Sequence, residues 1–334
     1  MYLQQYASRF AAVVTLIAAF NPLNAGAGEI GNPTNKGGFT FINFDPSLGT
    51  LGTGSNANGI SDKGHVVVTV LNSDGSFTNF TGTPNQTVPL NLGPNALAFG
   101  MNAPGGIVGT NNGAAFFLPP KGSPQPLASP AGASSAFGIN DKGQIVGQYT
   151  NASGQTPGFF LNNMKSTAIT INAPSGPNVV NAQGVNNFGL IVGFYVGTDG
   201  QDHGFMANLS SVHKGVITGT PIPDPAIPAV AGEPGATFVF SQVLAVNDAG
   251  IAVGYYGDST TSQHGFIYNT NTGKYTFLDD PAVRFSNGVE VTQITGITDS
   301  GELTGFYTDI AGAAHSFTAC PPDAFCPNFP HDLQ

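Results

Sequence analysis

Gly138-Ile139-Asn140-Asp141-Lys142-Gly143-Gln144-Ile145-Val146-Gly147-Gln148-Tyr149 is the stretch that decides the fold, because variants of it recur along the whole 334-residue chain. Two β-prone runs flank Asn-Asp-x-Gly, whose residues tolerate positive φ and so permit a tight hairpin. Aligned on that turn, six copies begin at Gly59, Gly100, Gly138, Gly184, Ala245 and Gly296, with spacings of 41, 38, 46, 61 and 51 residues. A period of about 40 to 50 residues suits a four-stranded propeller blade, whereas the coils of a β-helix are much shorter. In the third copy the four strands are read as a, Ser135 to Asn140; b, Gln144 to Tyr149; c, Pro157 to Leu161; and d, Ser166 to Ile171. With 46 Gly and 25 Pro spread along the sequence, long helices are not expected.

Repetition explains many residues that would otherwise attract attention. Asn140, Asp141 and Gly143, Asn186 and Gly189, and Asn247, Asp248 and Gly250 are assigned to the structural a–b turns, with Asp62 and Asp299 in the same place. Copy two departs, with Asn102-Ala103-Pro104-Gly105. Strand b carries a glycine at Gly109, Gly147, Gly193, Gly254 and Gly305, and Val68 in the first copy. A glycine inside a strand is destabilising unless something packs over it. Tyr149, Tyr195, Tyr256 and Tyr307 of strand b and Phe205, Phe266 and Phe317 of strand c are the expected cover.

The register at the two ends closes the ring. Strand d has an apolar run ending in Asp-Pro, as in Phe277-Leu278-Asp279-Asp280-Pro281, and the same pattern opens the chain as Phe41-Ile42-Asn43-Phe44-Asp45-Pro46 before any strand a. The sixth copy stops after strand c, near Phe317. The N-terminal strand therefore supplies the missing fourth strand of the last blade, leaving no long free edge. The expectation is an all-β, six-bladed propeller over residues 28–319.

Arg9, the apolar run from Phe10 to Phe20 and Ala25-Gly26-Ala27 read as a cleavable export signal over residues 1–27, since the run is about half of the roughly 20 residues a membrane span needs. Losing Arg9 moves the formal charge from −10 to −11. Such a balance repels phosphate backbones and anionic lipid, so neither nucleic acid nor membrane insertion is expected. Cys320 and Cys326 are the only cysteines and lie in the tail, residues 320–334; in an exported chain they are expected to form a disulfide. Residues 218–234, rich in proline, read as an extended excursion and a candidate contact surface.

The Gly-Ile-Asn-Asp-x-Gly-x-Ile-Val-Gly unit followed by a His-x-Phe strand resembles the HAF-repeat extracellular proteins of bacteria. The triplets here are His203-Gly204-Phe205, His264-Gly265-Phe266 and His315-Ser316-Phe317, with Pro157-Gly158-Phe159 in the third copy. The middle residue departs from the family's usual Ala, and copies one and two lack the His. The resemblance covers roughly Gly38 to Thr318. It implies export and a propeller-like fold; it carries no established activity or catalytic residues.

No catalytic residue, cofactor site or metal site is nominated. The three histidines occupy one repeat position in separate blades, too far apart to share a metal whose bonds are about 2 Å. Asp45 and Asp280 end strand d, and the turn acids are explained by repetition. Glu233, Glu290 and Glu302 break the repeat and read as solvated loop residues, as does Arg284. Calcium is conceivable at Asn72-Ser73-Asp74-Gly75 and Asp199-Gly200-Gln201-Asp202, though neither completes a 12-residue EF-hand loop. No phosphate loop and no Gly-x-Ser-x-Gly elbow occurs. The expected role is a monomeric, secreted binding or interaction module for an unknown extracellular ligand, with carbohydrate a reasonable class. A polysaccharide lyase or hydrolase with its site at the channel mouth and a structural cell-surface component are the competing classes.

Overall fold

The computed structural model describes residues 34–46, 52–127, 132–227, 235–282, 289–322 and 324–329. The segment expected to be an export signal, Glu233 and Arg284 lie outside the described residues. Among the described residues twenty-six strands follow one another, numbered here in chain order. The chain opens with β1 (Thr34–Lys36) and β2 (Phe39–Phe44). Blade one is β3 (Gly52–Ile60), β4 (Val66–Asn72), β5 (Phe77–Thr83) and β6 (Gln86–Leu90). Blade two is β7 (Ala96–Met101), β8 (Ile107–Asn111), β9 (Ala114–Leu118) and β10 (Gln125–Pro126). Blade three is β11 (Ser134–Ile139), β12 (Ile145–Tyr149), β13 (Gly158–Leu161) and β14 (Ile169–Asn172).

Blade four is β15 (Val180–Val185), β16 (Leu190–Val196), β17 (Asp202–Asn208) and β19 (Thr220–Pro221), while β18 (Val216–Thr218), between β17 and β19 in the chain, joins the sheet of blade three. Blade five is β20 (Phe238–Val246), β21 (Ile251–Asp258), β22 (Gln263–Asn269) and β23 (Lys274–Phe277). Blade six is β24 (Thr292–Ile297), β25 (Leu303–Thr308) and β26 (Ala314–Cys320), completed by β2 and β1 in the order β1-β2-β26-β25-β24. The chain is a six-bladed β-propeller, and its ring closes where Phe41 pairs with Ala319 and Asn43 with Phe317.

The Ile-Val pair of strand b shows why the blades stack. Strands covered on both faces read as continuous apolar runs, and successive side chains point to opposite faces. Ile145 accordingly packs with Val108 and Ala136 toward blade two, while Val146 packs with Val180 and Ile191 toward blade four. Each fully buried side chain of this size contributes roughly 1.5–3 kcal/mol. The core is thus a set of clusters between neighbouring blades; Phe44 joins Ala57, Val68 and Phe80 at the seam between blades six and one.

The longest repeat spacing has a different cause from the expected one. After β17 a short 3-10 turn at Leu209–Ser211 carries the chain onto blade three, where β18 pairs in parallel with β14, and only then does β19 return as blade four's outer strand. The proline-rich stretch therefore begins as part of the sheet: Ile222 N–H donates to Gly204 at 2.9 Å and Tyr275 donates to the Pro223 carbonyl at 2.8 Å. Its later residues, 228–234, lie outside the described residues.

Candidate functional site

Every innermost strand carries the same irregularity. Its register with strand b slips between Ala57 and Gly59, Ala98 and Gly100, Ala136 and Gly138, Ala182 and Gly184, Val243 and Ala245, and Ile294 and Gly296. A β-bulge inserts an unpaired residue and re-aims its side chain. The inserted residues, Asn58, Phe99, Phe137, Gln183, Leu244 and Thr295, all line a cavity of about 170 Å³ on the propeller axis. Adjacent glycine lets the inner strands nearly touch: a Cβ on Gly138 would lie 2.4 Å from the Gln183 carbonyl oxygen, and one on Gly100 2.5 Å from that of Phe137.

Among the described lining residues there is no Asp, Glu, Lys, Arg or His. Toward the face formed by the b–c and d–a connections the wall mixes polar side chains, Asn56, Thr69, Gln242 and Gln293, with Leu97 and Phe306. Toward the a–b turns it is apolar, with Ile60, Met101, Ile139, Val185 and Val246, each 6–8% exposed. Several polar groups are committed to the protein. Tyr255 donates to Gln242 at 2.7 Å, Gln242 donates to Asp202 at 2.8 Å, Gln293 donates to Gln263 at 2.6 Å, and Asn58 donates to Thr69 and to the Ala98 carbonyl. Burial, with Asp202 nearby, holds the Tyr255 hydroxyl well above the usual phenol range.

On the opposite face the a–b turns are joined hand to hand. The Asn102 amide donates to the Asn140 carbonyl, Asn140 to Asn186, Asn186 to Asn247 and Asn247 to Thr298, at 2.9–3.0 Å. Beside these, the N–H groups of Ala103, Asp141, Asn187, Asp248 and Asp299 donate to side-chain oxygens of Asp141, Asn187, Asp248, Asp299 and Asp62. The turn acids and amides therefore tie each blade to the next. Gly143, Gly189 and Gly250 take φ of +75°, +81° and +75°, the left-handed conformation the turns require.

The repeated histidines do not converge. Each is held between two carboxylates of its own blade, one from the b–c loop and one from the end of strand d. His203 lies 3.1 Å from Asp199 and 3.0 Å from Asp224. His264 lies 3.7 Å from Asp258 and 3.1 Å from Asp279. His315 lies 3.3 Å from Asp309 and 2.6 Å from Asp45. Burial alone would hold the His315 ring down, but Asp45 and then Asp309 push it up to about 9; the same balance raises His203. The clamp partner in blade five is Asp279; its neighbour Asp280, at the end of strand d, is buried and accepts from Asn43 across the blade five–six seam at 3.3 Å.

The phenylalanine cover expected for the strand b glycines holds, while the tyrosine cover and the exposure expected of Glu290 and Glu302 change. The strand b glycines are covered by the phenylalanine directly opposite on strand c: Gly147 faces Phe159, Gly193 Phe205, Gly254 Phe266 and Gly305 Phe317. Tyr195, Tyr256 and Tyr307 lie instead against the clamp histidines, with ring centroids 5.2–5.9 Å apart. Glu290 and Glu302 are buried rather than solvated. Burial pushes the Glu302 carboxyl up to about 7 against the opposing effect of Asn328, whose amide bridges Glu302 and the Gly64 carbonyl at 2.8 Å each. Asn328 belongs to the tail, which the Cys320–Cys326 disulfide folds back over the blade six–one seam.

The two loops considered for calcium use their oxygens locally. Asp74 accepts from the Ser76 N–H and hydroxyl, Asp199 from Gln201 N–H, and Asp202 from Gln242. Among the described residues no group of three His, Cys, Asp or Glu side chains is placed to hold a metal ion.

No family profile matches the chain, and no curated protein does. Solved structures share the propeller. One, described as TolB from Agrobacterium tumefaciens, is 10% identical over 81% of this chain and 92% of its own, with a TM-score of 0.47. TolB from Acinetobacter baumannii is 10% identical over 87% and 78%, at 0.44. The Aleuria aurantia lectin in complex with alpha-methyl-L-fucoside is 12% identical over 93% and 99%, at 0.33. At such identities and scores the likeness transfers no residue role.

Proposed function

We propose that the chain is an exported, monomeric binding module of the HAF-repeat type, which holds an uncharged extracellular ligand, of the polysaccharide class, at its central channel. The observation that carries this reading is the channel lining, which has amides and aromatic rings and no charged side chain among the described residues. A charged ligand would lose its hydration there without gaining a counter-charge. The disulfide supports export, since such bonds persist in oxidising compartments. Turnover is disfavoured: glycoside hydrolysis calls for two carboxylates flanking the bond, and the one titratable group in the described lining is Tyr255, whose hydroxyl is buried and committed to Gln242.

The test is a panel of neutral and acidic polysaccharides scored for both retention and product release. Retention of neutral polymers without products is the expected result; released products assign the chain to the enzymes, and failure to retain any polymer removes the binding reading. The module is proposed to work without calcium, so chelation should leave its melting temperature unchanged.

A further inference from the structure

We infer that the channel receives the end of a neutral glycan chain, one sugar unit deep and from the b–c/d–a face, with Asn56 and Gln183 contacting its hydroxyls. This rests on the binding reading above and adds which part of the ligand enters and what holds it. Asn58, Gln242 and Gln293 spend their amides on protein partners. The amides of Asn56 and Gln183 have no hydrogen-bond partner among the described residues, although both side chains are half-buried in the lining. Both amides thus face the cavity with their hydrogen-bonding capacity available to a ligand. Asn56 belongs to blade one and Gln183 to blade four, so the two stand on opposite walls of a six-membered ring.

Between them, Phe99 and Phe137 of blades two and three pack at a centroid distance of 5.2 Å and present aromatic surface to the axis. Amide donors and acceptors beside aromatic rings suit a pyranose, which has hydroxyls at its rim and C–H groups on its faces. A peptide end would bring an ammonium or a carboxylate for which the described lining holds no partner. A cavity of 170 Å³ holds on the order of ten waters, or a single sugar unit. The apolar ring of Ile60, Met101, Ile139, Val185 and Val246 lines its a–b end. A glycan threaded through the disc would have to leave its hydroxyls unpaired there, so a chain end fits and a mid-chain segment does not.

Isothermal titration of the full chain with neutral linear hexaoses, such as those of cellulose, xylan, mannan and amylose, tests this. For the oligosaccharide that binds, Gln183→Leu and Asn56→Leu should each weaken affinity about tenfold, the loss of one hydrogen bond, at an unchanged melting temperature. Lys274→Ala on the outer strand of blade five should have no effect. A cyclic glucan of the same units, which has no chain end, should neither bind nor compete. If the leucine variants melt early, Leu244→Trp, which fills the cavity without removing a hydrogen bond, should abolish binding instead. Affinity that survives all three channel variants places the site elsewhere and overturns this inference while leaving the binding reading standing. Equal binding of the cyclic glucan overturns the chain-end part. Absence of binding to every oligosaccharide, with polymers also unretained, overturns both readings together.

Discussion

His315 Nδ1 lies 2.6 Å from Asp45 Oδ2, although 270 residues of chain separate them. The contact fastens β26, the last strand, to the end of β2. Because the folded-state value of His315 is about 9, above the 6.5 of an unperturbed ring, its contribution is fully present below pH 6.5 and is lost as pH rises through about 9. The pair is roughly one-third exposed, so solvent screening reduces the contribution to on the order of 2 kcal/mol. Thermal melts between pH 6 and 10 should show a fall over that window, and Asp45→Asn should lower the melting temperature at pH 6 and flatten most of the fall. An unchanged pH profile in Asp45→Asn would remove the clamp's role in closure.

Glu302 acts with the same sign in a lower pH window. Its carboxyl is near 7 in the fold against 4.5 when free, so between these values the folded state keeps a proton that the unfolded chain has lost. Stability therefore declines as pH climbs from 4.5 to 7 and stays lower above it. Glu302→Gln, which preserves the acceptor for Asn328, should stabilise the protein at pH 8 by about 2–3 kcal/mol and leave it nearly unchanged at pH 4.5. Chemical denaturation at the two pH values measures the difference.

Ala103 interrupts the circle of turn-to-turn hydrogen bonds. In the five other turns the second residue offers an oxygen to the N–H of its neighbour, and only Ala103 has none to offer Asp62. Ala103→Asn should complete the circle and add about 0.5–1.5 kcal/mol. Asparagine is preferred to aspartate because Asp62, Asp141, Asp248 and Asp299 already crowd this face. A urea midpoint no higher than that of the parent protein would count against the link.

Gly147→Ala should be severely destabilising. The new Cβ would meet the Ser135 carbonyl oxygen at 2.0 Å and the Phe159 ring at 2.7 Å, and the oxygen belongs to backbone that cannot give way locally. A loss of about 3 kcal/mol or more, or insoluble expression, is expected. Gly75→Ala, where no atom lies within 4 Å and the strain is confined to a φ of +82°, should cost about 1 kcal/mol. Parallel melts of the two variants separate close approach from turn strain.

The blades, their order and the closure were legible in the sequence because each rests on local chemistry repeated in register: the Asn-Asp-x-Gly turn, the Ile-Val-Gly strand and the displaced Phe41–Pro46 run. Contacts made between blades were not. Asn140 reads as a turn former, yet its amide also reaches the Asn186 carbonyl 46 residues on. His-Gly-Phe was visible as a triplet, but its two carboxylates come from a loop and a strand end that vary in spacing, so the clamp itself was not legible. The channel lining was hidden for another reason. The bulge shifts the strand's alternation by one residue, and Phe99, Phe137 and Gln183 face the axis at positions a regular strand would turn aside. The sequence cue that was available is the Ala-x-Gly spacing at Ala98–Gly100, Ala136–Gly138 and Ala182–Gly184.

Because β18 leaves its own blade to lie beside β14, blades three and four are stitched into a pair. Neither can be treated as an interchangeable cassette: excising or duplicating the fourth unit alone would strip or double the rim of the third. Changes in blade number along this chain are therefore confined to the remaining units, and lengthening the disc by gene duplication would have to copy this pair as a whole.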